Sequence, residues 1–218
     1  FAGPRTISSL REAGVRLGMN RVFQLVLATS ISPIARKPLR GYDLPAGKLL
    51  ESLVAVAIAT EELGRTAGLE LPKHAFTAGL LHDIGKIVLG TFLEVDAIPI
   101  QQRAFDEGIS FERAEADVLG IDHAETGAAL LEHWQLPEPI VNAVRYSHQP
   151  TAIEDDATVV DLVHVGYHLS LSGGLGLGIE GLQYEVSATA VRRLGVSEEQ
   201  LELAAAQRLT GYEELRPL

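Results

Sequence analysis

Apolar residues recur at i, i+3, i+4 and i+7 along most of the chain, and sustained alternation with a period of two is hard to find, so the pattern predicts an all-α fold. Ser8 and Ser9 precede LREAGVRLG, which closes on Gly18, and NRVFQLVLATSI carries a second short helix up to Pro33. The stretch 33–47, PIARKPLRGYDLPAG, holds three Pro and two Gly and reads as a connector; a long helix from about Lys48 to Ala67 follows. After Pro72, KHAFTAGLLHDIGKIVLGTFL has the apolar density of a buried helix with a break near Gly85. The pattern then turns amphipathic, predicting surface helices near 97–107 and 110–119. Asp122 with Glu125 three residues on is a capping-box-like start for HAETGAALLEHW, which puts His123 in a first helical turn. Pro137 suits the first position of PEPIVNAVRYSH, and Pro150 lies beyond its end. The last third predicts a helix around 156–171, a glycine-rich GGLGLG at 173–178, and helices near 187–194 and 197–209, the last opened by Ser197 and Gln200.

Composition narrows the class. Of 218 residues, 46% are hydrophobic and 22% charged, which is ordinary for a globular chain and argues against long disorder. Cysteine is absent, which excludes disulfides, thiolate metal sites and a cysteine nucleophile and fits a reducing, cytoplasmic setting; any metal must be held by His, Asp or Glu. No long run of apolar residues is free of charges and Gly/Pro interruptions, so no membrane span is expected. Eighteen basic against 29 acidic groups give −11, which disfavours a nucleic-acid binder. The charge is uneven: residues 1–48 hold eight basic and two acidic groups, leaving ten basic against 27 acidic for residues 49–218. That basic opening either docks on the acidic remainder or offers a surface to an anionic nucleotide ligand.

The candidate chemistry begins at Gly79-Leu80-Leu81-His82-Asp83-Ile84-Gly85-Lys86. A His and an Asp adjacent in an apolar helix are costly to bury unless paired, hydrogen-bonded or bound to a cation. Imidazole and carboxylate both suit divalent ions, but neighbouring helical residues point about 100° apart, so a shared centre needs ligands from other helices. The alternative is a dry core in which Asp83 accepts from His82 or Lys86. The GGLGLG stretch lacks the preceding strand and the Gly-Lys-Ser/Thr ending of a phosphate loop. His164 and His168 are four apart on one helix without the intervening Glu of a zincin, and read as a core or boundary pair; His133 reads as a surface or capping residue and His74 as a helix-start residue.

AGLLHDIGK resembles the HD superfamily of helical metal-dependent phosphohydrolases. ISSLREAGVRLG (7–18), ESLVAVAIATEEL (51–63), FTAGLLHDIGKIVL (76–89), VLGIDHAETGAALLEHWQLPEPIVNAVRYSHQP (118–150) and LGVSEEQLE (194–202) together resemble the HD-related output domain, HDOD, a bacterial signalling module. The resemblance implies an HD-domain-like helical bundle over 46–170, with a remnant of an N-terminal helical lobe over 1–45 and C-terminal helices over 171–218 packing on the core. The family's domain starts with further helices ahead of the segment matching 1–30, so a missing N-terminal lobe, a signalling protein or a second copy of the chain is the expected partner.

Catalytic relatives carry His, His-Asp, His, His-His and Asp. By that resemblance the first His falls at Ser52, the doublet at His82 and Asp83, the next at His123, the pair at Ser147-His148, and the closing Asp at Tyr167; three positions have lost their ligands. The Gly-Tyr-Pro signature of the cyclic-di-GMP phosphodiesterase branch has no counterpart in HQPTAIEDDATVV. His82, Asp83, His123 and His148 remain as candidate metal ligands, enough for a single divalent ion and too few for a bridged pair. Ser52 and Lys86 are candidates for contacting a ligand's oxygens, and Tyr146 and Tyr167 for filling the emptied pocket. The expected function is therefore a non-catalytic signal-transduction or regulatory module. The competing expectation is a metal-dependent phosphohydrolase with a reduced site.

Overall fold

The computed structural model describes residues 9–93, 97–174 and 185–215. Among them the chain forms α1 (Leu10–Leu17), α2 (Met19–Ala35), a 3-10 turn η1 (Arg40–Tyr42), α3 (Lys48–Thr66), α4 (Ala75–Leu81), α5 (Gly85–Leu93), α6 (Ile98–Glu107), α7 (Phe111–Leu119), α8 (His123–His133), α9 (Glu138–Arg145), a second 3-10 turn η2 (Pro150–Ala152), α10 (Thr158–Ser172), α11 (Ala188–Leu194) and α12 (Glu198–Leu215). The fold is all-α; an isolated antiparallel bridge between Leu39 and Leu44 closes the η1 loop. No helix among the described residues is long and apolar enough to cross a membrane.

Capping chemistry sets several starts. Ser9 accepts from the Glu12 amide at α1, and Asp122 from the Glu125 amide at 2.7 Å at α8. Ser197 and Gln200 bond reciprocally at 2.9 and 3.3 Å ahead of α12. Pro33 does not end α2, which runs on to Ala35. The proline sits in the last turns, where its missing N–H forfeits one ladder bond, and the Thr29 and Ser30 hydroxyls bond back to the Leu25 and Val26 carbonyls. The connector is correspondingly shorter. The glycine run expected at 173–178 lies, from residue 175 on, outside the described residues.

The axis of the molecule is α3, buried on all sides from Leu49 to Thr60 apart from Glu51, as a helix without a polar face must be. It contributes Leu53 to an apolar cluster with Tyr42, Phe76, Leu80, Ile100 and Phe111, Val56 to a second with Leu131, Val144 and Val163, and Leu63 to a third with Leu162, Leu194 and Ala204. Each fully buried Leu or Val contributes roughly 1.5–3 kcal/mol over exposure. Two glycines let α4 and α10 approach α3 closely. A Cβ on Gly79 would stand 2.8 Å from the Ala57 Cα, and one on Gly166 would stand 3.0 Å from the Thr60 nitrogen. Along the same axis α12 is tied to the end of α3 by Gln200, which donates to the Thr66 carbonyl at 3.0 Å. The outer face of α2 leaves Phe23, Val26 and Ile34 exposed.

The sequence places a helix break near Gly85, and the structure puts it over residues 82–84, at the doublet itself. Short i→i−3 bonds, Ile84 to Leu81 and Lys86 to Asp83 at 3.0 Å each, make a tight joint between α4 and α5. Gly85 opens α5 where a Cβ would fall 1.9 Å from the His123 carbonyl oxygen and 2.6 Å from the Gly127 nitrogen. Only glycine permits α5 to lie backbone-to-backbone on the first turns of α8 there.

Candidate functional site

Four elements meet around Asp83. The α4–α5 joint supplies His82 and Asp83, the first turn of α5 supplies Lys86, the first position of α8 supplies His123, and the turn between α9 and η2 supplies His148. The side chains of all five are almost sealed, His82 and His123 at 0% and His148 at 3% exposure. His148 meets solvent through its backbone while its imidazole points inward.

Asp83 is bound on one side only. Its Oδ2 accepts from the Lys86 ammonium at 2.6 Å, and the His82 Nε2 stands 3.3 Å away. Its Oδ1 is buried and accepts no hydrogen bond from the described residues, with the Nε2 atoms of His123 and His148 at 3.6 and 3.9 Å. Those two Nε2 atoms face each other at 2.8 Å. A ligand atom from each of Asp83, His123 and His148 lies within 4.8 Å of the other two. His82 is outside that trio: its Nδ1 donates to the Gly79 carbonyl at 2.8 Å and its buried Nε2 has no hydrogen-bond partner among the described residues. Three of the four histidine and aspartate candidates thus converge. Ser52 is buried on α3 and takes no part in the hydrogen bonds of the cluster.

The segment read as a surface helix, 110–119, proves to be half core. Phe111, Ala114 and Glu115 are buried, and Glu115 is the group the sequence reading missed. Its Oε2 accepts from both the backbone N–H and the Nδ1–H of His123, while its Oε1 accepts from the hydroxyl of Tyr42, itself fully buried in η1. A carboxylate on Nδ1 orients an imidazole and leaves Nε2 aimed at the site, the arrangement that metal-bound histidines commonly show. A signal for Glu115 was present: it shares the 111, 114, 115, 118 spacing with apolar neighbours, so a carboxylate falls on the buried stripe. Tyr42 also lies edge-on to His123 at 6.2 Å and 5.8 Å from the Lys86 nitrogen.

Electrostatics follow from this wiring. Burial works against the charged form of Asp83, but His82, Lys86 and His123 outweigh it and hold the carboxyl well below the usual carboxylate range. Burial also opposes a charge on His123; the carboxylate of Glu115, by its field and its hydrogen bond, prevails with help from Asp83 and raises the imidazole to about 9. Burial first, and then the His123 charge, push His148 well below its ordinary value, so it stands neutral with a nitrogen lone pair to offer.

These residues fit one divalent cation. Two imidazole nitrogens and a carboxylate oxygen converge from three elements, and the Asp83 oxygen facing them lacks a donor. Asp83, His123 and His148 would hold the ion, which would supply charge neutralisation and Lewis acidity. The ammonium of Lys86 already covers the other oxygen of Asp83. Tyr167 of α10, buried, packs its ring 5.2 Å from that of His82 and 5.4 Å from that of His148, filling the space at that side of the cluster. Tyr146 is half-buried at the edge of the second apolar cluster. His133 is an exposed last residue of α8, and His74 precedes α4 without a capping bond from its side chain. His164 and His168 lie edge to face on α10, ring centroids 4.7 Å apart, and are not members of the trio.

Known proteins agree with this architecture. An HDOD domain protein of unknown function from Geobacter sulfurreducens superposes with a TM-score of 0.70 at 25% identity, covering 98% of this chain and 74% of that one. A chain from Marinobacter aquaeolei VT8, provisionally described as a signal transduction protein, superposes with a TM-score of 0.73 at 22% identity over 97% of this chain and 47% of its own. An uncharacterised protein of Treponema pallidum is 30% identical over 90 residues, 41% of this chain, and the match spans 18% of that relative's length. Residues 1–150, which include the α4–α5 joint, Glu115, His123 and His148, match the HDOD domain model, and the chain belongs to the HDOD family.

Proposed function

We propose that this chain is a non-catalytic module of signal transduction, in which the Asp83–His123–His148 cluster binds a single divalent cation that stabilises and tunes the bundle while the outer surface serves a signalling partner. The observation that carries this reading is the enclosure of the cluster. Every donor side chain in it is exposed by 3% or less, whereas hydrolysis of a phosphate ester requires an open coordination position and room for the substrate beside it. Two further features support it. The ammonium of Lys86 neutralises the second oxygen of Asp83, and a tyrosine ring stands at 167, against His82 and His148.

The test is metal content by mass spectrometry after purification, followed by phosphomonoesterase and cyclic-dinucleotide phosphodiesterase assays with Mn²⁺, Mg²⁺ and Fe²⁺. The expected result is at most one equivalent of metal and no turnover. Turnover that disappears in Asp83→Ala would establish the competing phosphohydrolase reading.

A further inference from the structure

Of the convergent trio, His123 is carried by a helix, Asp83 by the tight joint between α4 and α5, and His148 by the looser turn between α9 and η2. Its turn has local bonds, Ser147 Oγ to the Val144 carbonyl at 2.9 Å and the Gln149 amide to the Tyr146 carbonyl at 3.0 Å, but these fix only the shape of the turn. Beyond the contacts of His148 with His123 and Tyr167, two ties to its turn come from far along the chain. On one side of His148, the Nδ1 of His164 in α10 stands 2.7 Å from the Ser147 carbonyl. On the other, Arg193 of α11 donates to the carbonyls of Pro150 and Ile153 at 2.7 and 2.8 Å.

Both anchors are themselves held. A carbonyl can only accept, so Nδ1 of His164 carries the proton; the Ser187 amide can only donate, and it points at Nε2 at 2.9 Å. The two neighbours therefore dictate one neutral tautomer, and that ring is buried. Arg193 grips both carboxylate oxygens of buried Asp161, through Nε at 2.8 Å and Nη2 at 2.6 Å, in a bidentate pair that aims its remaining N–H groups at the two carbonyls. Asp161, His164, Ser187 and Arg193 all lie beyond residue 150, outside the span that matches the HDOD domain model.

We propose that His164 and Arg193 are positioning residues that clamp the 147–153 segment and so hold the His148 imidazole against Asp83 and His123. The part of the inference that concerns cation affinity rests on the cation reading given under Proposed function; the part that concerns the placement of His148 does not. Loss of a group that orients a metal ligand typically costs 10–100-fold in affinity.

The experiment uses the full chain and two readouts: Co²⁺ affinity by calorimetry, and, without metal, the nuclear Overhauser contact between the His123 and His148 ring protons. His164→Leu and Arg193→Met are expected to weaken Co²⁺ binding about tenfold and to lose the ring-to-ring contact. His164→Asn, whose amide nitrogen replaces the Nδ1 donor, is expected to keep both. Arg192→Met, at a neighbouring arginine whose side chain bonds to Thr189 within its own helix, serves as the control and should change neither. Should His164→Leu or Arg193→Met fail to fold, His164→Gln, which reaches Ser187 but not Ser147, and Arg193→Lys, which keeps the charge on Asp161 but not both carbonyls, give the same contrast. Wild-type affinity and an intact ring contact in the folded clamp variants would overturn the proposal. A wild-type protein that binds no Co²⁺ would instead remove the cation reading, and the metal-free ring contact would still decide the clamp.

Discussion

Lys86 places an ammonium against Asp83 with neither side chain more than 2% exposed, and a pair so deep constrains the core more than it stabilises it. Removing one partner is the costly change. Lys86→Met should lower stability by about 3 kcal/mol, because Asp83 keeps its charge and loses the ammonium bonded to its Oδ2, leaving the imidazoles of His82 and His123 to answer it. Urea denaturation would show this as a drop in midpoint at unchanged slope, and the double variant with Asp83→Asn should recover much of the loss. At this scale the sequence was partly legible. His82 and Asp83 stand out because two polar residues interrupt an apolar run, and His123 through the family resemblance, with a capping box placing it at a helix start. Glu115 and Tyr42 were not found. One was read as part of a polar surface and the other as part of a connector, and only their meeting at His123 gives them a role.

At the scale of elements, the joint between α4 and α5 decides where the doublet points. A continuous helix would splay His82 and Asp83 by about 100°; with the turn at 82–84, Asp83 faces His123 of α8 while His82 packs on Tyr167 of α10. Gly85 makes this possible, and Gly85→Ala should cost about 3 kcal/mol, the upper end for overpacking, since the added carbon meets backbone on both near sides and nothing flexible can yield. A thermal melt followed by circular dichroism measures the loss, and His123 should lose its contact with Glu115 in the same variant. Helix α10 carries a pH dependence of its own. Burial, and then neighbouring His164, hold His168 down at about 3 against an ordinary value of 6.5. The folded ring refuses a proton that the unfolded ring accepts, so this contribution is fully present above pH 6.5 and is lost progressively as pH falls towards 3. His168→Gln should flatten the acid limb of stability against pH relative to the wild type, as read from urea midpoints between pH 4 and 7.

At the scale of the whole molecule, one helix feeds three apolar clusters, and the Asp83–His123–His148 cluster lies where α4, α5, α8 and the turn after α9 come together. An ion bound only by the native state stabilises that state by mass action, about 2.7 kcal/mol at a hundred times its dissociation constant. For a chain of this size that corresponds to a rise of roughly 5–10 °C in melting temperature with Co²⁺, and Asp83→Ala should show no rise.

Periodicity, capping residues and glycine placement determined that this chain is helical and nearly where each helix begins, because those preferences act within a few residues of one another. The ordered motifs likewise made the HDOD resemblance readable before any fold was known. Tertiary structure alone decided that the helix breaks at the doublet, that Lys86 takes one oxygen of Asp83, that Glu115 orients His123, and that α10 and α11 hold the turn of His148. The last two join groups apart in sequence, the first two depend on which helices pack against the joint, and no local preference encodes which buried charges will share a space once the helices have packed.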